Sequence, residues 1–215
     1  MISYTREEAI STYENLLDWV AEVRATTDPN KLNEFFDLAL EIMTAGYKDD
    51  FYTYIDSYWE DDWIDRDLMR AIASNKHISV DLAMKIASLD LTDDFRFMFV
   101  DSDLAENEVT PIEAIERILN SKRLIEWGNG YFYHAIAEYR SDLTPDMIDE
   151  IILRYASNFP CITLMMNESI TLTDNQLELI VKTWRDQWDF PYAYEDYEEH
   201  HNQRYAKWFE WAKTV

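Results

Sequence analysis

The chain is predicted to be all-α, an irregular array of helical hairpins of the α-solenoid kind closed by a capping helix at each end. Three observations lead there. Only 3 Gly and 5 Pro occur in 215 residues, too few for the tight turns that an all-β chain of this length needs. Apolar residues recur at helical spacing through most segments. Helix-start signals return at near-regular intervals along the second half, as repeated helical units require.

The first helix is signalled by Thr5 with Glu8 three residues on, a capping box, followed by Ile10, Tyr13, Leu16, Leu17, Val20 and Val23; it is expected to run to about Arg24. Asp28-Pro29 is a second start, an N-cap and then a proline whose missing donor costs nothing at the first helical position. Leu32, Phe35, Phe36, Ala39, Leu40 and Met43 form its buried face, and Gly46 ends it. A third, aromatic segment carries Tyr52, Ile55, Tyr58 and Trp59 and meets the acidic stretch 60–65, read as an inter-helix loop.

Beyond it an apolar residue precedes Ser or Thr four times: Ile78-Ser79, Val109-Thr110, Leu143-Thr144 and Leu172-Thr173. The Ser/Thr positions are 31, 34 and 29 residues apart, room for two helices per unit. Each hydroxyl is placed to accept an unpaired amide of the new helix, while the apolar residue staples onto the one five further on, Leu143 on Ile148 and Leu172 on Leu177. Thr110 with Glu113 and Thr173 with Gln176 complete capping boxes, and Pro111 and Pro145 take the first helical position.

The decapeptide Ala73-Ser74-Asn75-Lys76-His77-Ile78-Ser79-Val80-Asp81-Leu82, and more loosely Ala137 to Met147, resembles the turn that precedes the second helix in short α-solenoid repeats of the variant leucine-rich or HEAT-like kind. The resemblance covers roughly Asp67 to Trp184 and implies a binding scaffold without shared catalytic residues. From Trp188 the pattern breaks into an acidic aromatic stretch, and a last helix, about Asn202 to Lys213, carries Tyr205, Trp208, Phe209 and Ala212 on one face as an end cap. One continuous body over 1–215 is expected, with N-terminal helices in 1–60, repeats in 61–185 and the acidic stretch and cap in 186–215.

Composition supports folding: 47% of residues are apolar and 15% aromatic, ample for a core despite a net charge of -24. Cys161 is the single cysteine and cannot form an internal disulfide; neither a signal peptide nor a membrane-spanning run is visible, so a cytoplasmic location is expected.

No enzyme chemistry is expected. Gly128-Asn129-Gly130 reads as a turn rather than a phosphate loop, and His77, His134, Cys161 and the adjacent pair His200-His201 lack chelating spacing. No catalytic, cofactor or metal site is assigned. Cys161 lies in an apolar context that makes an inert thiol, and His134 reads as a core or boundary residue.

The acid is regional. Residues 1–66 hold 16 acidic and 5 basic residues, 90–116 hold 9 acids against Arg96 alone, and 186–203 add six acids with no Lys or Arg. In the first helix Glu14, Asp18 and Glu22 recur every four residues with Glu7 extending the row; Glu34, Asp37 and Glu41 repeat the device in the second. Like charges at this spacing cost a helix a few tenths of a kcal/mol per pair, so a row calls for a reason. Carboxylates so placed stand roughly 5–6 Å apart at Cβ, comparable to neighbouring phosphates on one strand. The rows resemble, in composition and design, the acidic DNA-mimic inhibitors that phages and mobile elements direct at restriction or CRISPR enzymes.

The expected partner is therefore a basic, nucleic-acid-binding protein, with neither nucleic acid nor membrane bound directly. The partner-binding set is Glu7, Glu14, Asp18, Glu22, Glu34, Asp37, Glu41, Glu60, Asp61, Asp62, Asp101, Asp103, Glu106, Glu195, Asp196, Glu198 and Glu199, with the aromatic residues of 188–197 as anchors. Two other classes compete: an immunity protein that neutralises a basic toxin, and a general interaction scaffold whose charge only keeps it soluble.

Overall fold

The computed structural model describes residue 15 and residues 18–44, 64–89, 97–121, 130–155 and 159–187. Those residues are all-helical, with ten helices, no strand and 75% of positions in helix. They are α1 over 18–25, α2 (Pro29–Thr44), α3 (Ile64–Ser74), α4 (Val80–Ala87), α5 (Phe97–Glu106), α6 (Ile112–Leu119), α7 (Gly130–Tyr139), α8 (Pro145–Tyr155), α9 (Phe159–Met166) and α10 (Asp174–Gln187). The chain divides into two compact units, Met1–Glu126 and Trp127–Val215, each taken by itself below.

Most of the predicted helix starts form as their residues dictate. Asp28 Oδ1 accepts the Asn30 amide at 2.9 Å and α2 begins at Pro29. Ser79 Oγ accepts the Leu82 amide at 3.1 Å, and Thr144 Oγ1 that of Met147 at 3.3 Å. The capping box at α10 is complete: Gln176 N donates to Thr173 Oγ1 at 3.3 Å while Thr173 N donates to Gln176 Oε1 at 2.9 Å.

Two expectations are corrected. The stretch 60–65 is not wholly a loop, since Ile64 and Asp65 already belong to α3. Thr110 does not cap α6; Pro111 occupies that place, and no side chain caps the helix. The reason lies in the turns. Asn75, Asn107 and Asn167 each follow a first helix, and their carbonyls accept the amides of Ile78, Thr110 and Ile170 at 3.0, 2.9 and 3.1 Å. Thr110 therefore stands where Ile78 and Ile170 stand, buried like them, and Pro111 stands where Ser79 does. Val109, expected to staple, is left 39% exposed.

These asparagines also tie each turn to the one before it. The Asn75 side-chain amide donates to the carbonyls of Val23 at 2.6 Å and Thr26 at 3.2 Å. Asn107 donates to Ala73 and Asn75 at 2.8 and 3.0 Å. In the second unit Asn167 donates to Ala137, Glu138 and Arg140 at 2.8, 3.2 and 3.1 Å. Each side-chain oxygen meanwhile accepts the amide two residues on, of His77, Val109 and Ser169, closing an Asx turn. The turns at 26–28 and at Arg140 carry no asparagine of their own and receive these bonds.

Packing follows the same order. First helices pack on first helices, α3 on α5 and α7 on α9, and second helices on second helices, α4 on α6 and α8 on α10; α2 meets α3 and α8 meets α9. The first helices bury broad apolar faces: Leu68, Met69 and Ile72 of α3, Val100 and Leu104 of α5, Phe132, Tyr133 and Ile136 of α7, and Leu164 and Met165 of α9 are all essentially inaccessible. Each large side chain so buried stabilises by about 1.5–3 kcal/mol. The second helices are amphipathic, burying Ile115 and Ile118 of α6 or Ile180 and Val181 of α10 and exposing their acids.

Asn107→Ala is expected to destabilise the protein by about 2–4 kcal/mol in urea unfolding, because it orphans two carbonyls and an amide. Asn107→Asp should cost at least as much, since it turns a carboxylate onto those carbonyls. Asn120→Ala, which loses only an exposed bond to the Glu116 carbonyl, should stay within about 0.5 kcal/mol.

Candidate interaction surface

Exposed acids lie on both kinds of helix. Asp18 and Glu22 on α1 and Glu34 and Asp37 on α2 are exposed, joined by the turn at 26–28. Farther along, Asp81 of α4 and Glu113 and Glu116 of α6 are exposed on second helices, and Glu106 and Glu108 at the end of α5 and its turn. A second helix has a neighbour on one side and water on the other, so its polar residues face out.

Asp101 and Asp103 correct the sequence reading. Both lie on α5, a first helix, and are 1% and 9% exposed, so they form no part of a surface row. Asp103 instead holds Arg70 of α3, Nε to Oδ2 at 2.7 Å and Nη2 to Oδ1 at 3.2 Å, a two-pronged ion pair between first helices. The same guanidinium lies 5.4 Å from the centre of the Phe99 ring. A run of carboxylates in α5 is indistinguishable in sequence from an exposed row until the neighbours of the helix are known.

The exposed rows are interrupted by cations. Lys31 pairs with Glu22, which removes one charge from the α1 row. Lys85 Nζ of α4 reaches Asn33 Oδ1 of α2 at 3.5 Å, and Arg117 of α6 donates to Ser88 Oγ just beyond α4. These residues link consecutive second helices, a positioning role that the sequence pattern concealed.

Of the remaining predicted residues, Glu41 lies on α2, while Glu7, Glu14, Glu60, Asp61, Asp62, Glu195, Asp196, Glu198 and Glu199 lie outside the described residues. So do the aromatic segment 52–59, the stretch 188–197 and the last helix expected at 202–213. Gly130 opens α7.

Among the described residues no group of three His, Cys, Asp or Glu is placed to hold a metal ion, and no helix is long and apolar enough to cross a membrane. His134 is a half-buried boundary residue on α7, 3.3 Å from the Glu138 carboxylate one turn on. Cys161 is fully enclosed in α9, and burial pushes its thiol up to about 12, because the thiolate would lose its hydration. Two grooves open on the first unit. One of about 550 Å3 runs along α4 and α6, bordered by Met84, Ala87, Leu89, Glu116 and Arg117; one of about 470 Å3 lies at the first two turns.

The chain matches no protein-family model, no curated protein and no solved structure.

Asp103→Asn is expected to lower stability by about 1–3 kcal/mol, the Arg70 end of the pair being partly solvated. Asp37→Asn should change it by less than about 0.5 kcal/mol in the same urea titration. The Cys161 thiol should resist alkylation in the folded protein at pH 8, where its thiolate fraction is on the order of 10⁻⁴, and react only as fast as the chain unfolds, followed by mass spectrometry. The sign of the linkage is that stability from the raised thiol is complete below the unfolded value near 9 and is lost as pH rises from there towards 12.

Proposed function

We propose that this chain is a non-catalytic inhibitor, acting in the cytoplasm, whose acidic helix faces occupy the nucleic-acid-binding surface of a basic defence protein of the restriction or CRISPR kind. The observation that carries the reading is the exposure of Asp18, Glu22, Glu34 and Asp37 on two helices joined by a short turn. Spaced three or four residues apart, carboxylates of this kind offer fixed negative charge at intervals like those of phosphates. A net charge of -24 steers such a body towards a basic cleft and away from nucleic acid itself. The stacking of first helix on first and second on second supports a helical-hairpin array, an architecture that holds surface charge on a rigid frame.

The groove along α4 and α6 favours a second reading, an interaction scaffold. Its border combines apolar Met84, Ala87 and Leu89 with Glu116 and Arg117, a lining suited to an extended peptide.

The test is to immobilise the full chain, load a bacterial lysate at 50 mM salt, and elute with duplex DNA. The decoy reading expects a basic nucleic-acid enzyme that DNA displaces and whose affinity falls by at least about tenfold by 200 mM salt. It also expects weaker retention by an Asp18→Asn, Glu34→Gln, Asp37→Asn variant. A partner that DNA leaves in place points instead to an immunity-type inhibitor, and salt-independent capture lost on filling the α4–α6 groove from its half-buried border with Met84→Trp points to the scaffold.

A further inference from the structure

The groove at the first two turns has a charge opposite to that of the chain. It is lined by Arg24, Thr26 and Thr27 from the end of α1 and its turn, and by Ser74, Lys76 and His77 from the next, with no carboxylate among its lining residues. In a chain with 43 acidic and 19 basic residues, the other described cations largely meet acceptors: Lys31 meets Glu22, Arg70 meets Asp103, Arg140 meets Asp142 and Arg154 meets Glu150. Arg24 and Lys76 enter no hydrogen bond or ion pair among the described residues, yet they border the same space.

One ordinary use for such cations would be to cap the C-terminal carbonyls of the helices that end here. Several of those carbonyls are already engaged by other groups. Asn75 Nδ2 takes Val23 and Thr26, the Thr26 amide takes Glu22 at 2.9 Å, the Asn75 amide takes Ile72 at 3.2 Å, and Ser74 Oγ takes Arg70 at 2.8 Å. Helix termini still contribute roughly half a negative charge each, about one in sum against two full cations, so the groove stays positive. Asp28, the carboxylate nearest the groove in sequence, is turned to the start of α2, where its Oδ1 accepts the Asn30 amide, and acids farther than about 8 Å are screened at physiological salt.

We propose that this groove binds a small phosphate monoester. Arg24 and Lys76 supply the charge, and Arg24 the planar fork suited to two phosphate oxygens. Thr26 Oγ1 accepts the Asp28 amide at 3.3 Å, which leaves its proton to donate, and Thr27 and His77 add further donors. The space of about 470 Å3 is far larger than inorganic phosphate and matches a small-molecule site, so the organic part of the ester fills the remainder. Asn75, 7% exposed with its amide and oxygen both committed, holds the wall in place. This proposal is independent of the acidic-surface reading, and either stands if the other fails.

The test is an amide chemical-shift titration of the full-length protein with adenosine monophosphate as probe, with adenosine and inorganic phosphate as comparisons. Saturable shifts at Thr26, Thr27, Lys76 and His77 are expected from the monophosphate. Adenosine should give none, and inorganic phosphate should bind at least about tenfold more weakly. An Arg24→Gln, Lys76→Gln variant should lose at least about tenfold in affinity with an unchanged melting temperature, since neither side chain is bonded. Thr27→Glu, a change on an exposed turn, should give the same loss by repulsion. The proposal is overturned if the monophosphate shifts no turn amide, if adenosine or inorganic phosphate does as well, or if both variants bind as the parent does.

Discussion

An asparagine in the turn of a helical hairpin is the constraint from which the rest of this structure follows. A helix ends with carbonyls that its own backbone leaves unpaired, and when the next hairpin is laid against that end, water has less access to them. Asn75, Asn107 and Asn167 meet the requirement with one side chain each: the oxygen closes its own turn and the amide reaches the carbonyls of the preceding one. Aspartate lacks the donors. Glutamine would set the amide one methylene farther out, where the close Asx turn no longer forms. Because the bond joins turn to turn, it fixes the register of the helices on either side.

Register determines which helices are enclosed. A first helix held between two others has little water-facing surface, and α5 accordingly buries six residues in succession, Val100 to Ala105, three of them polar. The Arg70–Asp103 pair is the form that charge takes in that setting, with two directed bonds and a ring beside the guanidinium, because a carboxylate out of water is stable only when it is bonded. Second helices keep one open face and expose acids along it, while α1 exposes Asp18 and Glu22 as well. Lys85 and Arg117, set between those faces, hold neighbouring helices together and break the negative surface into segments.

That division gives the acidic reading its physical scope. Charge summed over residues 90–116 overstates what a partner meets, since two of those carboxylates are internal. The faces of α1 and α2 retain most of theirs. The positive groove at the first two turns sits among this charge without contradicting it, because screening confines each to its own surroundings.

Much of the fold is decided by short-range chemistry and was readable in the chain. Asp28-Pro29, Ser79, Thr144-Pro145 and the Thr173/Gln176 box start helices through bonds that span two or three residues, so their residue types suffice. The scarcity of glycine and proline and the helical spacing of apolar residues determined the all-α class for the same reason. What tertiary structure decided is every choice that depends on a neighbour from another hairpin. Thr110 looks like a cap and is a buried position, because Asn107 and not the hydroxyl sets the turn; Asp101 and Asp103 look like an exposed row and lie inside; Arg24 and Lys76, 52 residues apart in sequence, share one groove. A local pattern records what a residue does to its own backbone, and burial and charge pairing are set by segments that lie tens of residues away.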